Sequence, residues 1–126
     1  AGIAMRPMAN LTDESMTDIV KWVGGWQYTP AEITIEGDVD AGQALYGTCA
    51  TCHGIDAKGN ASLGAPALAG QNDWYLITQL KNFVAGYRGR HEDDLYGQQM
   101  SAMVGTLTDE AAIRDVVAYI NSLVLR

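Results

Sequence analysis

The sequence predicts an all-α protein. Three observations carry that expectation. Apolar residues recur at helical spacing in several segments, and those segments open on Thr, Asp or Asn side chains able to cap them. The only strand-like alternation, Glu32-Ile33-Thr34-Ile35-Glu36, is one isolated run.

In chain order, a first amphipathic helix is expected over about residues 12–24, behind Leu11-Thr12-Asp13-Glu14. Met16, Ile19, Val20 and Val23 share its apolar stripe, and Trp22, Trp26 and Tyr28 lie beside it. Asp38 or Asp40 caps a short second helix through Ala41, Ala44 and Leu45 to Tyr46, ending at Gly47. Residues 54–71 are rich in Gly, Ala and Ser around Pro66, with too little bulk for a core, so this segment should wrap around something that supplies it. Asn72 caps a third helix, with Asp73 in the first turn where the helix dipole favours an anion. Leu76, Leu80, Phe83 and Val84 form its apolar face, and Gly86 ends it. Gly89 to Gln99 reads as a polar loop carrying His91, Glu92, Asp93 and Asp94. A last helix starts at Thr108, with Asp109 and Glu110 in its first turn. It buries Ile113, Val116, Val117 and Ile120, flanked by Tyr119 and Leu123.

The chain has 126 residues, of which 48% are hydrophobic and 18% charged, which suits one packed domain. A net charge of −7 argues against a nucleic-acid binder, whose affinity depends on a basic face. No apolar run approaches the ~20 residues needed to cross a bilayer. The most hydrophobic stretch, Val116 to Leu125, is about half that length and is interrupted by Asn121 and Ser122. No basic segment followed by an apolar one opens the chain, so any export signal is expected to have been removed. Residues 1–48 carry most of the acidic excess, and the break falls near the only two cysteines.

Those cysteines stand in Cys49-Ala50-Thr51-Cys52-His53, which also takes one of only two histidines. A disulfide between them would close a tiny loop and gain little. A thioredoxin-type pair wants a helix after it, but Gly54-Ile55-Asp56-Ala57-Lys58-Gly59-Asn60 reads as a loop. A zinc site needs four ligands, and Cys52 and His53 with distant His91 make a poor tetrahedron. Covalent haem attachment remains, the ordinary meaning of C-x-x-C-H. Two thiols at this spacing can add across the vinyl groups of one porphyrin, and the next residue then lies under the iron as an imidazole ligand. One haem per chain is expected, linked to Cys49 and Cys52 with His53 as iron ligand.

For the opposite iron position, Met100 and Met103 lie just before the last helix. Met100 is the better ligand because it sits at the end of the polar loop, where the backbone can be aimed at the iron. Met103 is read as packing. His91 competes, but its charged neighbours mark it as a surface histidine. A thioether favours ferrous iron, so His53/Met100 ligation raises the reduction potential relative to two histidines.

Beyond the haem motif, Asp40-Ala41-Gly42-Gln43, Pro66-Ala67-Leu68-Ala69-Gly70-Gln71, Tyr75-Leu76, Gln79-Leu80, Ala85-Gly86, Met100-Ser101-Ala102-Met103 and Leu107-Thr108-Asp109-Glu110 follow in order. Over residues 38–125 this text resembles a class I c-type cytochrome, and is similar to single modules of the cytochrome c4 group. The resemblance implies an all-α fold around one haem, with Met100 as axial ligand. It also implies a Pro66 carbonyl that accepts a hydrogen bond from the second ring nitrogen of His53. By the same resemblance the protein carries single electrons between periplasmic or membrane-bound redox partners and has no bond chemistry of its own.

Residues 1–37 precede the expected module of residues 38–126. Met5-Arg6-Pro7-Met8 ahead of Leu11-Thr12-Asp13-Glu14 parallels Met100-Ser101-Ala102-Met103 ahead of Leu107-Thr108-Asp109-Glu110, and the stripes of the helices that follow correspond. The front is therefore read as the tail of another module, with Trp22, Trp26 and Tyr28 packing on the haem module or on another subunit. A Met5 thioether reaching a neighbouring haem is the remoter alternative. Three functions compete: a free monohaem carrier, a subunit or domain of a larger dehydrogenase or oxidase docked through the front extension, and a haem enzyme or gas sensor with an open sixth position. The last needs a distal donor, for which only His91, Arg88 or Arg90 is available. The acidic balance predicts donor and acceptor proteins with a basic docking patch and association that slows as salt rises. Lys81, Arg88 and Arg90 form a local basic exception. A solvated face is its default reading, and the haem propionates or an acidic partner are the alternatives.

Overall fold

The computed structural model describes residues 10–27, 29 and 32–123. Among these, five α-helices form: α1 (Asp13–Gly24), α2 (Val39–His53), α3 (Asp73–Val84), α4 (Leu95–Met103) and α5 (Glu110–Ser122). Single 3-10 turns stand at Ala61–Leu63 and Val104–Thr106. No strand forms among the described residues. The alternating segment at 32–36 runs as irregular chain, and the one pairing is an isolated bridge between Asn60 and Ala65. The all-α expectation therefore holds.

The core is a crossing of α2 and α5. Ile113, Val116, Val117 and Ile120 are buried, as the helical period of α5 requires, and each such side chain contributes about 1.5–3 kcal/mol relative to exposure. Tyr119, expected only to flank the stripe, is also buried, its ring 5.3 Å from that of Tyr46 on α2. The helices approach this closely because α2 carries Gly42 at the contact. A Cβ there would overlap the Asp115 carbonyl oxygen and lie 2.9 Å from the Tyr119 Cβ.

Within the module, three helix boundaries and the extent of one apolar face differ from expectation. Asp38 caps α2, its carboxylate accepting from the amides of Asp40 and Ala41, but the helix passes through Gly47 and stops only at Gly54, whose φ is +80°. A mid-helix glycine costs about 1 kcal/mol relative to alanine. Tyr46, Cys49 and Ala50, all packed against the core, outweigh it. The segment read as a polar loop to Gln99 yields a fourth helix from Leu95, because the Asp94 carboxylate accepts from the Gly97 amide and starts it. Helix α5 starts at Glu110 and not at Thr108, and Asp109 caps it by accepting from the Ala112 amide. On α3, Leu76 and Phe83 are buried but Val84 is exposed, since eight residues carry it well round the helix from Leu76.

Asp73 does more than complement a dipole. It is fully buried, and it accepts from the Thr34 amide, from Thr34 Oγ1 at 2.9 Å, from the Ile35 amide at 3.1 Å and from the Trp74 amide at 2.6 Å. Asn72, at the capping position, makes no side-chain cap. Residues 32–38 are thus strapped across the bundle. Ile35 packs on the core, Gly37 lies against the Arg114 carbonyl and the Ala118 Cβ, and the Asp38 amide donates to Asp115 Oδ1 at 2.8 Å.

Helix α1 starts one residue later than expected, with Thr12 Oγ1 accepting from the Ser15 amide. None of its residues is buried. Met16, Ile19, Val20 and Val23 are all exposed, and Trp22 and Trp26 stack edge-to-face on each other at 4.7 Å rather than on the module. Met5, Arg6, Pro7, Met8 and Tyr28 lie outside the described residues.

Candidate functional site

The extension of α2 past Gly47 puts the Cys-x-x-Cys-His run on the last helical turns, against the core. Cys49 and Cys52 are free thiols, both half-buried, and burial pushes the Cys49 thiol up from its ordinary pKa. His53 is buried, and its Nδ1 lies 2.8 Å from the Pro66 carbonyl oxygen. A carbonyl only accepts, so Nδ1 carries the proton and Nε2 is left with its lone pair.

Pro66 is held for that contact by the Gly/Ala-rich segment, which is built on backbone hydrogen bonds instead of side-chain bulk. The Asn60 amide donates to the Ala65 carbonyl at 2.8 Å, and the Ala65 amide returns a bond to Asn60 at 3.0 Å. The amides of Leu68 and Ala69 both donate to the Ala57 carbonyl, and the Gly59 amide donates to the carbonyl of His53 itself. Gly59 has φ +82° and a Cβ there would lie 2.6 Å from the Ala67 amide nitrogen, so this return of the chain requires glycine. Above the loop, the buried Tyr46 hydroxyl donates to the Gly54 carbonyl at 2.8 Å, and burial pushes its pKa up to about 12.

Cys49, Cys52, His53 and Pro66 line a cavity of about 290 Å³. Its lining is mostly apolar, with Leu76, Leu80 and Phe83 from α3, Val104 and Leu107 after α4, and Val116 and Ile120 from α5. Met100 and Met103 line the same cavity. Met100 is half-buried and Met103 42% exposed. Both stand within α4, so the backbone at Met100 is aimed by a helix and not by a loop end. Two bonds orient that helix: Gln98 Nε2 donates to the His91 carbonyl at 2.7 Å, and Ser101 Oγ donates to the Arg88 carbonyl at 3.1 Å.

His91 does not line the cavity. It is exposed, with Nδ1 3.7 Å from Asp93. Arg90 is also absent from the lining, and Lys81 pairs with Glu110 at 2.8 Å. Arg88, Gln79 and Tyr96 do line it; Arg88 belongs to the basic group and the distal-donor candidates of the sequence, Gln79 to the Gln79-Leu80 pair of the resemblance, and Tyr96 to neither. The order Gln79, Phe83, Arg88 along the third helix and its exit was the available signal.

The chain matches the family described as Cytochrome c over residues 39–124. It is similar to cytochrome c4 of Stutzerimonas stutzeri, with 34% identity over 88 residues, 68% of this chain and 41% of that protein. It is 38% identical over 86 residues to cytochrome c-554(548) of Halomonas halodenitrificans, covering 68% of this chain and 96% of that one. The chain thus spans about two fifths of the cytochrome c4 relative and nearly all of the second. Among solved structures, a thiosulfate dehydrogenase from Marichromatium purpuratum superposes with a TM-score of 0.68 at 29% identity, over 93% of this chain and 26% of that one.

Proposed function

The chain belongs to the cytochrome c family, and from that premise we propose that residues 38–126 form a class I electron-carrier module holding one haem c. The haem is joined through thioether bonds to Cys49 and Cys52. The observation that carries the reading is that two free thiols, a buried imidazole with Nε2 left available and two thioethers share one apolar cavity. These donors fit a haem: two thiols for its vinyl groups, nitrogen and sulfur for its iron, and apolar walls for its faces. When bound, the haem supplies a one-electron ferric/ferrous couple.

The chain's own residues set the properties of that couple. His53 is held by Pro66 in the tautomer that presents Nε2 to a metal, and this bond raises the basicity of the ring. Met100, more buried than Met103, would supply the second protein ligand to the iron, and a thioether there would favour the reduced state. Leu76, Leu80, Phe83 and Leu107 keep water from the faces. Electrons pass between donor and acceptor proteins in the periplasm. The acidic surface selects partners with basic patches.

The test compares two variants. Met100→Ala abolishes the sulfur-to-iron charge-transfer band of the ferric protein, and Met103→Ala keeps it. The opposite pattern overturns the assignment. Two haems per chain by haem quantification would contradict the single module.

A second reading, that the module works inside a larger redox assembly, is favoured by α1. Its stripe parallels that of α5, yet the α5 stripe is buried against α2 and the α1 stripe is exposed. The likeness to the thiosulfate dehydrogenase, which spans 93% of this chain, extends well beyond residues 39–124. Residues 1–37 are accordingly read as the tail of a further module or a docking arm.

A further inference from the structure

The face of α4 that meets the cavity carries three long side chains in register. Tyr96, Met100 and Met103 stand at i, i+4 and i+7, and all three line the cavity. Tyr96 therefore lies one turn ahead of Met100 on the same face. Its ring rests on bare backbone at Gly64: a Cβ built there would lie 2.6 Å from Cδ1 and Cε1 of Tyr96 and 2.7 Å from Cγ. Gly64 and Tyr96 both line the cavity and are both exposed, so they meet on its rim. The seat is firm. Asn60 Oδ1 accepts from the Ser62 amide at 3.0 Å, and the paired bonds between Asn60 and Ala65 close the turn that holds Gly64. Two residues further on, Pro66 holds His53. The remaining hydrogen bonds of α4 come from its own chain neighbours: Asp94 caps it, Gln98 donates to the His91 carbonyl and Ser101 to the Arg88 carbonyl. The helix buries only Gly97, which puts it among the elements that open locally.

We propose that Tyr96 is a positioning residue for the sixth ligand: seated on Gly64, its ring fixes the rotation of α4 that keeps the Met100 thioether in the cavity, and so closes the sixth position to outside ligands. The inference rests on the haem reading above. The contact joins the wall that holds His53 to the wall that carries Met100, from the side of the cavity that the local bonds of α4 do not reach. Ring carbons make the seat, so the flat ring and the bare Gly64 matter and the hydroxyl does not. Without the ring the first turn of α4 is released, the helix rolls, and the thioether leaves more often. A small ligand then takes its place, one sulfur–iron bond being exchanged for one ligand–iron bond with no change of oxidation state. Tyr96 thus separates a sealed electron carrier from a haem protein that binds added ligands.

The experiment uses the full chain loaded with ferric haem and cyanide as the probe, at one pH and at a temperature well below the melting of every variant. The rate of cyanide binding is expected to rise several-fold in Tyr96→Ala and to stay unchanged in Tyr96→Phe, which keeps the ring. Gly64→Ala, which pushes a Cβ into the ring, should raise the rate several-fold beside Tyr96 and add nothing in the Tyr96→Ala background. An unchanged rate in Tyr96→Ala would overturn the proposal even if that variant melted earlier, because a merely structural tyrosine moves only the melting. Equal acceleration in Tyr96→Phe, or an equal effect of Gly64→Ala with and without the ring, would overturn it too. Should Tyr96→Ala fail to fold, Gly64→Ala alone decides: an unchanged rate overturns the proposal and a faster one supports it. Failure of the haem reading looks different, since the unmodified protein would then carry no covalent haem.

Discussion

Gly42 of α2 lies against the Asp115 carbonyl of α5 so closely that the contact admits no Cβ. That contact sets the separation of the two helices which form the core. Gly42→Ala must push them apart or bend one of them. Such overpacking costs typically 1–3 kcal/mol, so the denaturant midpoint should fall with little change in slope. An unchanged midpoint would show that the crossing has slack.

Asp73 binds the strap of residues 32–38 through the Thr34 and Ile35 donors. Burial raises its pKa, but the hydrogen bonds from Thr34, Trp74 and Ile35 outweigh that and hold the carboxyl below its usual range. A depressed carboxyl contributes stability that is complete above its unfolded pKa, near 3.9, and declines as pH falls through the lower folded value. Asp73→Asn should therefore cost about 1.5–3 kcal/mol at neutral pH and progressively less below about pH 4. Hydrogen exchange at the Thr34 and Ile35 amides should accelerate in the same variant. A penalty that stays constant down to pH 2 would remove the carboxylate's charge from the explanation.

Tyr46 gives the opposite signature at high pH. Its pKa is raised to about 12, chiefly by burial, so its contribution is complete below the unfolded value near 10 and is lost as pH rises towards 12. Tyr46→Phe removes the bond to the Gly54 carbonyl and should be less stable at pH 7 by about 1 kcal/mol. Since the phenylalanine cannot ionise, the two stability curves should converge and cross between pH 10 and 12. Parallel curves through that range would contradict the burial of the hydroxyl.

For α1, the double variant Ile19→Glu, Val20→Glu places charge on a face that is exposed in this structure. The module's own unfolding should move by no more than about 0.5 kcal/mol. Sedimentation in the presence of the physiological electron partner should show a weakened assembly. A module destabilised by more than 1 kcal/mol would instead place α1 on the haem domain.

The parts legible in the sequence are those whose signal is local. The α5 stripe was readable because Ile113, Val116, Val117 and Ile120 keep helical spacing over a stretch capped by an acid. Cys49, Cys52 and His53 stood out as candidates because of their spacing, and the fold brings them to one cavity. Helix α4 was missed because its nine residues bury only Gly97 and turn Met100 and Met103 to a cavity, so no apolar stripe marks it. The end of α2 was misread because Gly47 signals a stop locally, while the packing that carries the helix on comes from α5, far along the chain. Asp73 illustrates the same limit. An acid in a first turn reads as dipole compensation, and only the fold brings Thr34 to it across 39 residues.

The bond from the Asp38 amide to Asp115 joins positions 77 apart in the chain. Closing a loop of that length costs roughly 4 kcal/mol of chain entropy before its constant term. Contacts this distant in sequence slow folding. The α2–α5 crossing is thus a clasp between the two ends of the module. Until it shuts, Cys49 and Cys52 stand on a helix whose covering partner has not arrived. A rigid, flat tetrapyrrole can be stitched onto the chain from the side only while that clasp is open. The finished fold would have to be prised open to admit it.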